Sequence, residues 1–418
     1  MPVESRTPAS VARTLARLDV VEVVVEKLVA GGEGLARVDG APLFIPLAAP
    51  GDRLRARVVE RHPDFGRARI LEVLSPGPGR REPPCPHFAS CGGCDLQHLD
   101  DELQTVWKAR AALETLRRLG RLERLPEPRL VRARAWGYRM RAQVRTEPAG
   151  DGVLVGYFAR GSHALVPIRV CPILEPELEA AVIGLRERLG AESAPRRIDL
   201  ASGDDGRITV APPIEDPLES DRHGPGVPRG PVTRRVGPWT YELDARVFFQ
   251  AHAGLAGDLQ REVCGRYDGS LAVDLYAGVG LFTLPLGRRY RRVIAVESDR
   301  LAARYAVRNA RANGLANVEV LTRSAESFFG SAPPDIDRVV VDPPRTGLPQ
   351  SLRRALLDAR VPRLTYASCH PATLARDLRD LTAGYAVTSL ALLDLFPQTG
   401  HLEMVAQLER TGASGEGS

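Results

Sequence analysis

Between about Val236 and Leu408 short apolar runs alternate with helical stretches, and this alternation restricts the possible fold more than any other feature of the chain. LAVDLYAG, RVIAVES, VEVLTRSA, RVVVDPP and RLTYAS are nearly continuous in apolar residues, as strands buried on both faces are. Helical segments such as DRLAARYAVRNARANG, closed by Gly314, lie between them. The pattern predicts an α/β fold with a doubly wound, mostly parallel sheet. Ligands of such sheets bind outside the carboxyl ends of the strands, so the residues that follow each strand are the first functional candidates.

Upstream the texture changes. From Asp19 to about Leu74, strand-like runs (VVEVVVEKLV, PLFIPLA, RLRARVVE, RARILEVL) are separated by the turn-formers AGGEG, VDGAP, AAPGD and HPDFG, which predicts a small OB- or SH3-like β-barrel. The Pro/Gly hinge SPGPGRREPP leads into a cysteine-rich stretch and a helix from Asp100 to about Leu119, with Leu103, Val106, Leu113 and Leu116 on one face. RAQVRTEP, GVLVGYF and ALVPIRV suggest further strands, so this central region is α+β. Pro212–Pro231 has no usable periodicity and reads as a loop or linker. The expected organisation is a disordered tail over 1–18, a barrel over 19–75, a central domain over 76–235, an α/β domain over 236–408 and a disordered tail over 409–418.

LAVDLYAGVGLFTLPL reads as strand, glycine turn and helix. Gly278 and Gly280 let the backbone turn tightly and approach a ligand, and Glu297 ends the second strand, placed to hold ribose hydroxyls. A dinucleotide fingerprint wants a third glycine near position 283, where this chain has Thr283. The combination favours S-adenosylmethionine over NAD. VVVDPPRTG places Asp342 at the end of a later strand; Arg345 stands where an amine methyltransferase would carry a base-stacking aromatic ring, which argues against methylation of an exocyclic amine.

Cys369 follows RLTYAS and so opens onto the same edge as Asp342, just before a helix start expected to lower its thiol pKa. Glu403 comes 34 residues later on a strand-like segment that could return beside it. A methyl acceptor that needs both thiolate and carboxylate is uracil C5, made nucleophilic by thiolate addition at C6 and relieved of its proton afterwards by a base. A strand-end cysteine can also be a small buried hydrophobe, but the acidic partner favours the nucleophile.

FFQAH (Phe248–His252), DLYAGVG, VVVDPPRTG, SCHPATLARD and FPQTGHLE stand in the order of a known family, and through them nearly the whole chain resembles the S-adenosylmethionine-dependent RNA uridine-5-methyltransferases. The resemblance implies that Cys369 is the nucleophile and Glu403 the proton-abstracting base. It places Gln250, Tyr276, Glu297 and Asp342 at cofactor or uracil contacts, beside the cofactor-binding turn of Gly278 and Gly280. Two departures are His252, where asparagine is common, and Leu281, where a polar residue is sometimes found.

Six cysteines in 418 residues are too few for a disulfide scaffold, yet three fall in CPHFASCGGC as Cys85, Cys91 and Cys94, with Cys171 as a distant fourth. Four thiolates suit structural zinc or a [4Fe–4S] cluster, and the spacing does not decide. The resemblance to the ribosomal-RNA branch implies iron–sulfur, and likens the barrel to a TRAM domain, an RNA-binding module. Together they point to 23S rRNA. His87 and His98 read as surface residues and Cys264 as a buried helix residue.

The net charge of +5 suits a polyanion, but almost every basic residue is arginine, which reflects coding bias as readily as phosphate binding. No run approaches the roughly 18–20 apolar residues of a membrane span. The N-terminus carries no secretory signal, so a cytoplasmic monomer without an obligate protein partner is expected. The rival functions are tRNA uridine-5-methylation and a non-catalytic RNA-binding or assembly role.

Overall fold

The computed structural model describes residues 19–192, 194–213 and 230–412. The predicted tail over 1–18, the core of the linker (214–229) and the end of the C-terminal tail (413–418) lie outside them. The described chain forms two compact units whose boundaries do not follow sequence order.

The first unit takes the described residues up to Glu114, together with Ala159–His163 and Phe396–His401. Its sheet has six strands, β1 (Val20–Val24), β2 (Lys27–Leu28), β3 (Gly34–Val38), β4 (Ala41–Ile45), β5 (Arg53–Arg61) and β6 (Gly66–Ser75), in the order β1-β5-β6-β4-β3-β2. Alternation along β1 and β5 turns Val21, Val23, Leu54, Ala56 and Val58 into one core with Leu43, Ile45 and Ala68, as expected of a small barrel. β3 was not legible as a strand, because its Gly34 and Ala36 carry little strand propensity. A second core of Leu28, Ala49, Leu96 and Leu99, with Leu103 and Trp107 against it, lies under the cysteine-rich stretch.

Helix α1 runs Asp101–Gly120, one residue later than read, with acids in its first turn and Arg117 and Arg118 in its last, both suited to the macrodipole. Its buried side is more polar than the expected leucine face. Gln104, Thr105 and Lys108 are buried, whereas Leu103, Val106 and Leu113 are only half-buried.

In the second unit an antiparallel sheet is built from β8 (Arg141–Ala149), β9 (Gly152–Phe158), β10 (Leu165–Pro167), β11 (Arg197–Ser202) and β12 (Ile208–Ala211), ordered β10-β9-β8-β11-β12. Helix α2 (Pro176–Arg188) packs Leu178, Val182 and Leu185 onto it. A hairpin, β13 (Val232–Val236) and β14 (Trp239–Leu243), leads into α3 (Ala256–Cys264).

The α/β sheet follows. Its strands are β15 (Gly269–Leu275), β16 (Tyr290–Glu297), β17 (Val318–Thr322), β18 (Arg338–Val341), β19 (Arg363–Ser368), β20 (Tyr385–Leu393) and β21 (Glu403–Arg410), joined at one edge by β7 (Arg129–Val131). The helices between them are α4 (Thr283–Gly287), α5 (Arg300–Ala312), α6 (Ala325–Phe329), α7 (Gln350–Asp358) and α8 (Pro371–Leu381). The order is β17-β16-β15-β18-β19-β21-β20-β7, parallel from β17 to β19, with β21 antiparallel between β19 and β20. The expected doubly wound sheet is therefore present. Its last strand reaches Arg410, two residues into the stretch read as tail. Strand order reverses between β15 and β18, which opens a crevice at their carboxyl ends.

Candidate active site

β15 ends at Leu275, and the chain turns at once through Tyr276 (φ 62°), Gly278 (φ 57°) and Gly280 (φ 94°). A tyrosine in the left-handed region costs about 1–2 kcal/mol, so surrounding contacts must hold it there. Some are visible. The Gly278 N–H donates to Glu297 Oε2 at 2.8 Å, and Glu297 Oε1 accepts from the Asp299 N–H at 2.7 Å. Asn309 Nδ2 donates to the Val279 carbonyl, while the Tyr241 hydroxyl and Gln260 amide both donate to the Leu281 carbonyl. Leu281 itself is buried, so its apolar side chain packs into the turn's own support.

Thr283, the missing third glycine, has a positive use. Its hydroxyl donates to Asp274 Oδ2 at 2.5 Å inside the sheet. Asp274 is fully buried and its Oδ1 has no partner among the described residues. Burial pushes its carboxyl up to about 7, opposed by the Thr283 hydroxyl and reinforced by the charges of Asp342 and Glu297. Three acids thus surround the crevice between β15, β16 and β18.

A second group of candidate residues lies one strand further on. Asp342 follows β18, Cys369 follows β19, and Glu403 opens β21, whose Met404 pairs with Ser368. Because β21 is antiparallel to β19, its first residue sits at the same edge as the last residues of β18 and β19. Asp342 is pushed up to about 7 by burial. Glu403 is 3% exposed, its Oε1 has no partner among the described residues, and burial and then Asp342 raise it well above the usual carboxylate range.

Burial pushes the Cys369 thiol up to about 11; Glu403 and Asp342 push the same way and Arg345 opposes them. This reverses the expectation that the helix start would favour thiolate. The sulfur is buried, two acidic side chains lie near it, and the start of α8 is capped by the His370 ring, whose Nδ1 accepts from the Thr373 N–H at 3.3 Å. The resting site therefore holds a thiol. Arg345, used in the sequence only to argue against amine methylation, supplies positive charge beside it; its position three residues after Asp342 in the same strand-end loop was the available signal.

Gln250 is buried in the segment between β14 and α3. Phe249 packs on Tyr241 with ring centroids 5.5 Å apart, and Phe248 is 66% exposed. His252, which replaces the usual asparagine, is fully buried, stacks on Tyr138 at 4.7 Å and bonds the Arg134 carbonyl through Nε2 at 3.0 Å. Burial pushes its pKa down, so it serves as a neutral anchor for the segment.

Cys85, Cys91 and Cys94 belong to the first unit and Cys171 to the second. Among the described residues no group of three or more His, Cys, Asp or Glu is gathered closely enough to hold a metal ion, so the expected four-cysteine ligand set is not assembled in this structure. The donor chemistry nevertheless suits a soft metal. Cys91 Sγ accepts from the Gly93 N–H at 3.4 Å, the kind of bond that supports a cluster thiolate. Burial raises the Cys91 thiol, the Gly93 N–H opposes this, and the neighbouring Cys85 adds to it. His98 is not the surface residue expected: it is 1% exposed, and burial pushes it down to about 4. Cys264 is a buried helix residue, as expected.

Comparison with known proteins bears on this geometry. A family model described as tRNA (Uracil-5-)-methyltransferase matches residues 239–411, and a TRAM domain model matches residues 17–71. The chain is 34% identical to the 23S rRNA (uracil(1939)-C(5))-methyltransferase RlmD of Acidithiobacillus ferrooxidans, over 93% of this chain and 97% of that one. It is 33% identical to the protein of the same name from Klebsiella pneumoniae, over 96% and 98%. Among solved structures it resembles Pyrococcus abyssi tRNA (uracil-54, C5)-methyltransferase in complex with S-adenosyl-L-homocysteine, with a TM-score of 0.71 and 25% identity, covering 93% of this chain and 100% of that one.

Proposed function

The chain belongs to the RNA (uracil-5-)-methyltransferase family, and from that premise we propose that it methylates C5 of a uridine in 23S rRNA in the cytoplasm through a covalent Cys369–uracil intermediate. The observation that carries the mechanism is the convergence of Asp342, Cys369 and Glu403 at one edge of the sheet, on three strands adjacent in space.

S-adenosylmethionine supplies the methyl group. The glycine turn at Tyr276, Gly278 and Gly280, with Glu297, Asp342 and Gln250, is where we expect it to be held; the unpartnered Asp274 oxygen beneath the turn fits a site built to meet a polar or cationic ligand. Cys369 gives up its proton to solvent and its sulfur bonds to C6, so that the electron pair of the C5–C6 double bond becomes available at C5. Once C5 is methylated, Glu403 takes the C5 proton. The C5–C6 double bond re-forms and the sulfur leaves C6 as thiolate. Glu403 must be ionised for this step, although burial and Asp342 favour its protonated form in the free protein. Arg345 supplies positive charge beside Cys369, which favours the thiolate that addition needs.

The target uridine must leave its stack to present C6 to the sulfur, so single-stranded or looped RNA is expected, with the TRAM module contributing to its grip. Cys85, Cys91, Cys94 and Cys171 would hold a [4Fe–4S] cluster as a folding staple, since methyl transfer moves no net electrons. The Gly93 N–H···Sγ bond supports that reading.

A Glu403→Gln variant purified from its own cells tests the proposal. Lacking the base, it should retain methylated RNA on Cys369, and sequencing the attached RNA would name the target. A folded, cofactor-binding variant with no adduct would overturn the roles of Cys369 and Glu403 and favour a binding or assembly factor. A tRNA fragment would favour the second reading. One observation supports that alternative: the solved Pyrococcus tRNA enzyme covers 93% of this chain and is itself covered over its whole length, so fold alone does not separate the two substrates. The higher identity to the rRNA enzymes is why 23S rRNA is put first.

A further inference from the structure

The segment 244–252 runs from the end of β14 toward α3 and carries Gln250. We propose that Arg141, the first residue of β8, is a positioning residue for Gln250: its guanidinium fixes the backbone from which the Gln250 amide meets the cofactor. The inference rests on the reading of Gln250 as a cofactor contact. Both residues, and all those that hold the segment, lie in the second unit.

The segment forms neither helix nor strand, apart from an isolated bridge between His252 and Arg139, so its backbone groups need partners from elsewhere. Its start is tied to α5. The Glu242 N–H donates to Asn309 Oδ1 at 2.8 Å, Asn309 Nδ2 donates to the Glu242 carbonyl at 3.1 Å, and the Tyr305 hydroxyl donates to Asp244 Oδ2 at 2.8 Å. Arg141 comes next: Nη2 donates to the Ala245 carbonyl at 3.0 Å and Nη1 donates to the Val247 carbonyl. Beyond Gln250, the Met140 N–H donates to the Ala251 carbonyl at 3.0 Å and the Ala253 N–H donates to the Tyr138 carbonyl at 3.4 Å. Residues 138–141 therefore hold the segment on both sides of Phe248, Phe249 and Gln250. Those three make no backbone hydrogen bond among the described residues.

Arg141 makes no ion pair among the described residues. Of the two acids whose charge reaches it, Asp199 is bonded to Gln143 and Arg197, and Asp244 to Arg246 and Tyr305. Burial pushes the Arg141 pKa down to about 10, with Asp199 and then Asp244 opposing. Desolvating a cation without a carboxylate partner is costly. What the fold obtains in return is a planar fork that makes charge-assisted bonds to two carbonyls at once, a geometry that a lysine cannot reproduce. Between the two clamps Phe249 packs on Tyr241, Phe248 turns outward, and Gln250 is 3% exposed. The Gln250 side-chain amide has no hydrogen-bond partner among the described residues. A buried amide left unpaired carries a desolvation penalty that a polar ligand would remove, so the amide is set for a partner from outside the chain. It can meet that partner only if the short unbonded stretch is held at both ends, and Arg141 holds the end nearer β14.

The test is a double-mutant cycle on the full-length protein, with S-adenosylhomocysteine as the probe and affinity read by titration calorimetry. Arg141→Met keeps the length and the apolar stem of the side chain but removes the fork. In the parent background it should weaken binding by about tenfold; in a Gln250→Ala background it should change affinity by less than about twofold, because the group it positions is already gone. Arg141→Lys, which keeps one donor, should lose less than Arg141→Met. Losses that multiply in the double variant would show that Arg141 acts through the general stability of the region, and unchanged affinity in Arg141→Met would show that the fork positions nothing; either overturns the proposal. Should Arg141→Met not fold, Arg141→Lys carries the same cycle. Gln250→Ala by itself separates the two ideas. Parent-like affinity there sinks the reading of Gln250 and this proposal with it, whereas a loss there without a loss in Arg141→Met sinks only this one.

Discussion

Burial pushes the Cys369 thiol up to about 11, with Glu403 and Asp342 adding to it, and burial and Asp342 raise Glu403 well above the usual carboxylate range. Alkylation of Cys369 by iodoacetamide, followed by peptide mass spectrometry, should therefore be slow at pH 7 and rise about tenfold per pH unit up to pH 9. An alkylation rate flat across this range would show that the thiol is already ionised. Asp274 gives a stability prediction. Its folded pKa, about 7, lies above the ordinary carboxylate value, so its contribution is complete below about pH 4 and is lost as the pH rises through about 7. Asp274→Asn should flatten the fall in melting temperature between pH 5 and pH 8; an unchanged slope would mean that other groups dominate.

At the scale of elements, the turn after β15 is the part most dependent on glycine. Gly280 has φ 94°, where any side chain strains the backbone, although a Cβ there would meet nothing closer than 3.6 Å. Gly280→Ala should therefore leave packing intact and still cost about 1–2 kcal/mol of folding stability, read by calorimetry as a lower melting temperature. The glycines and the strands were legible because turn chemistry and buried-strand patterning are local signals. The buried side of α1 was not. Its polar residues are satisfied by a loop nearly 300 positions away in sequence, and no periodicity reports that.

At the scale of the whole molecule, the two compact units are stitched from distant parts of the chain. If the four cysteines staple the fold, a Cys91→Ser variant should lose iron together with folded protein or RNA affinity, as followed by metal analysis, circular dichroism and filter binding. Full activity in iron-free protein would refute the staple.

Sequence alone determined the α/β class, the barrel, the strand-end positions of Asp342 and Cys369, and the glycine turn, because each depends on neighbours within a few residues; the return of Glu403 to the same edge was decided by the antiparallel pairing of β21 with β19. Tertiary structure alone decided the charge state of the site. A thiol's ionisation depends on which carboxylates face it through space, and those arrive from strands 27 and 34 residues away. It also decided that Gln398 is buried in a left-handed turn, because the groups that hold it there come from the opposite end of the chain.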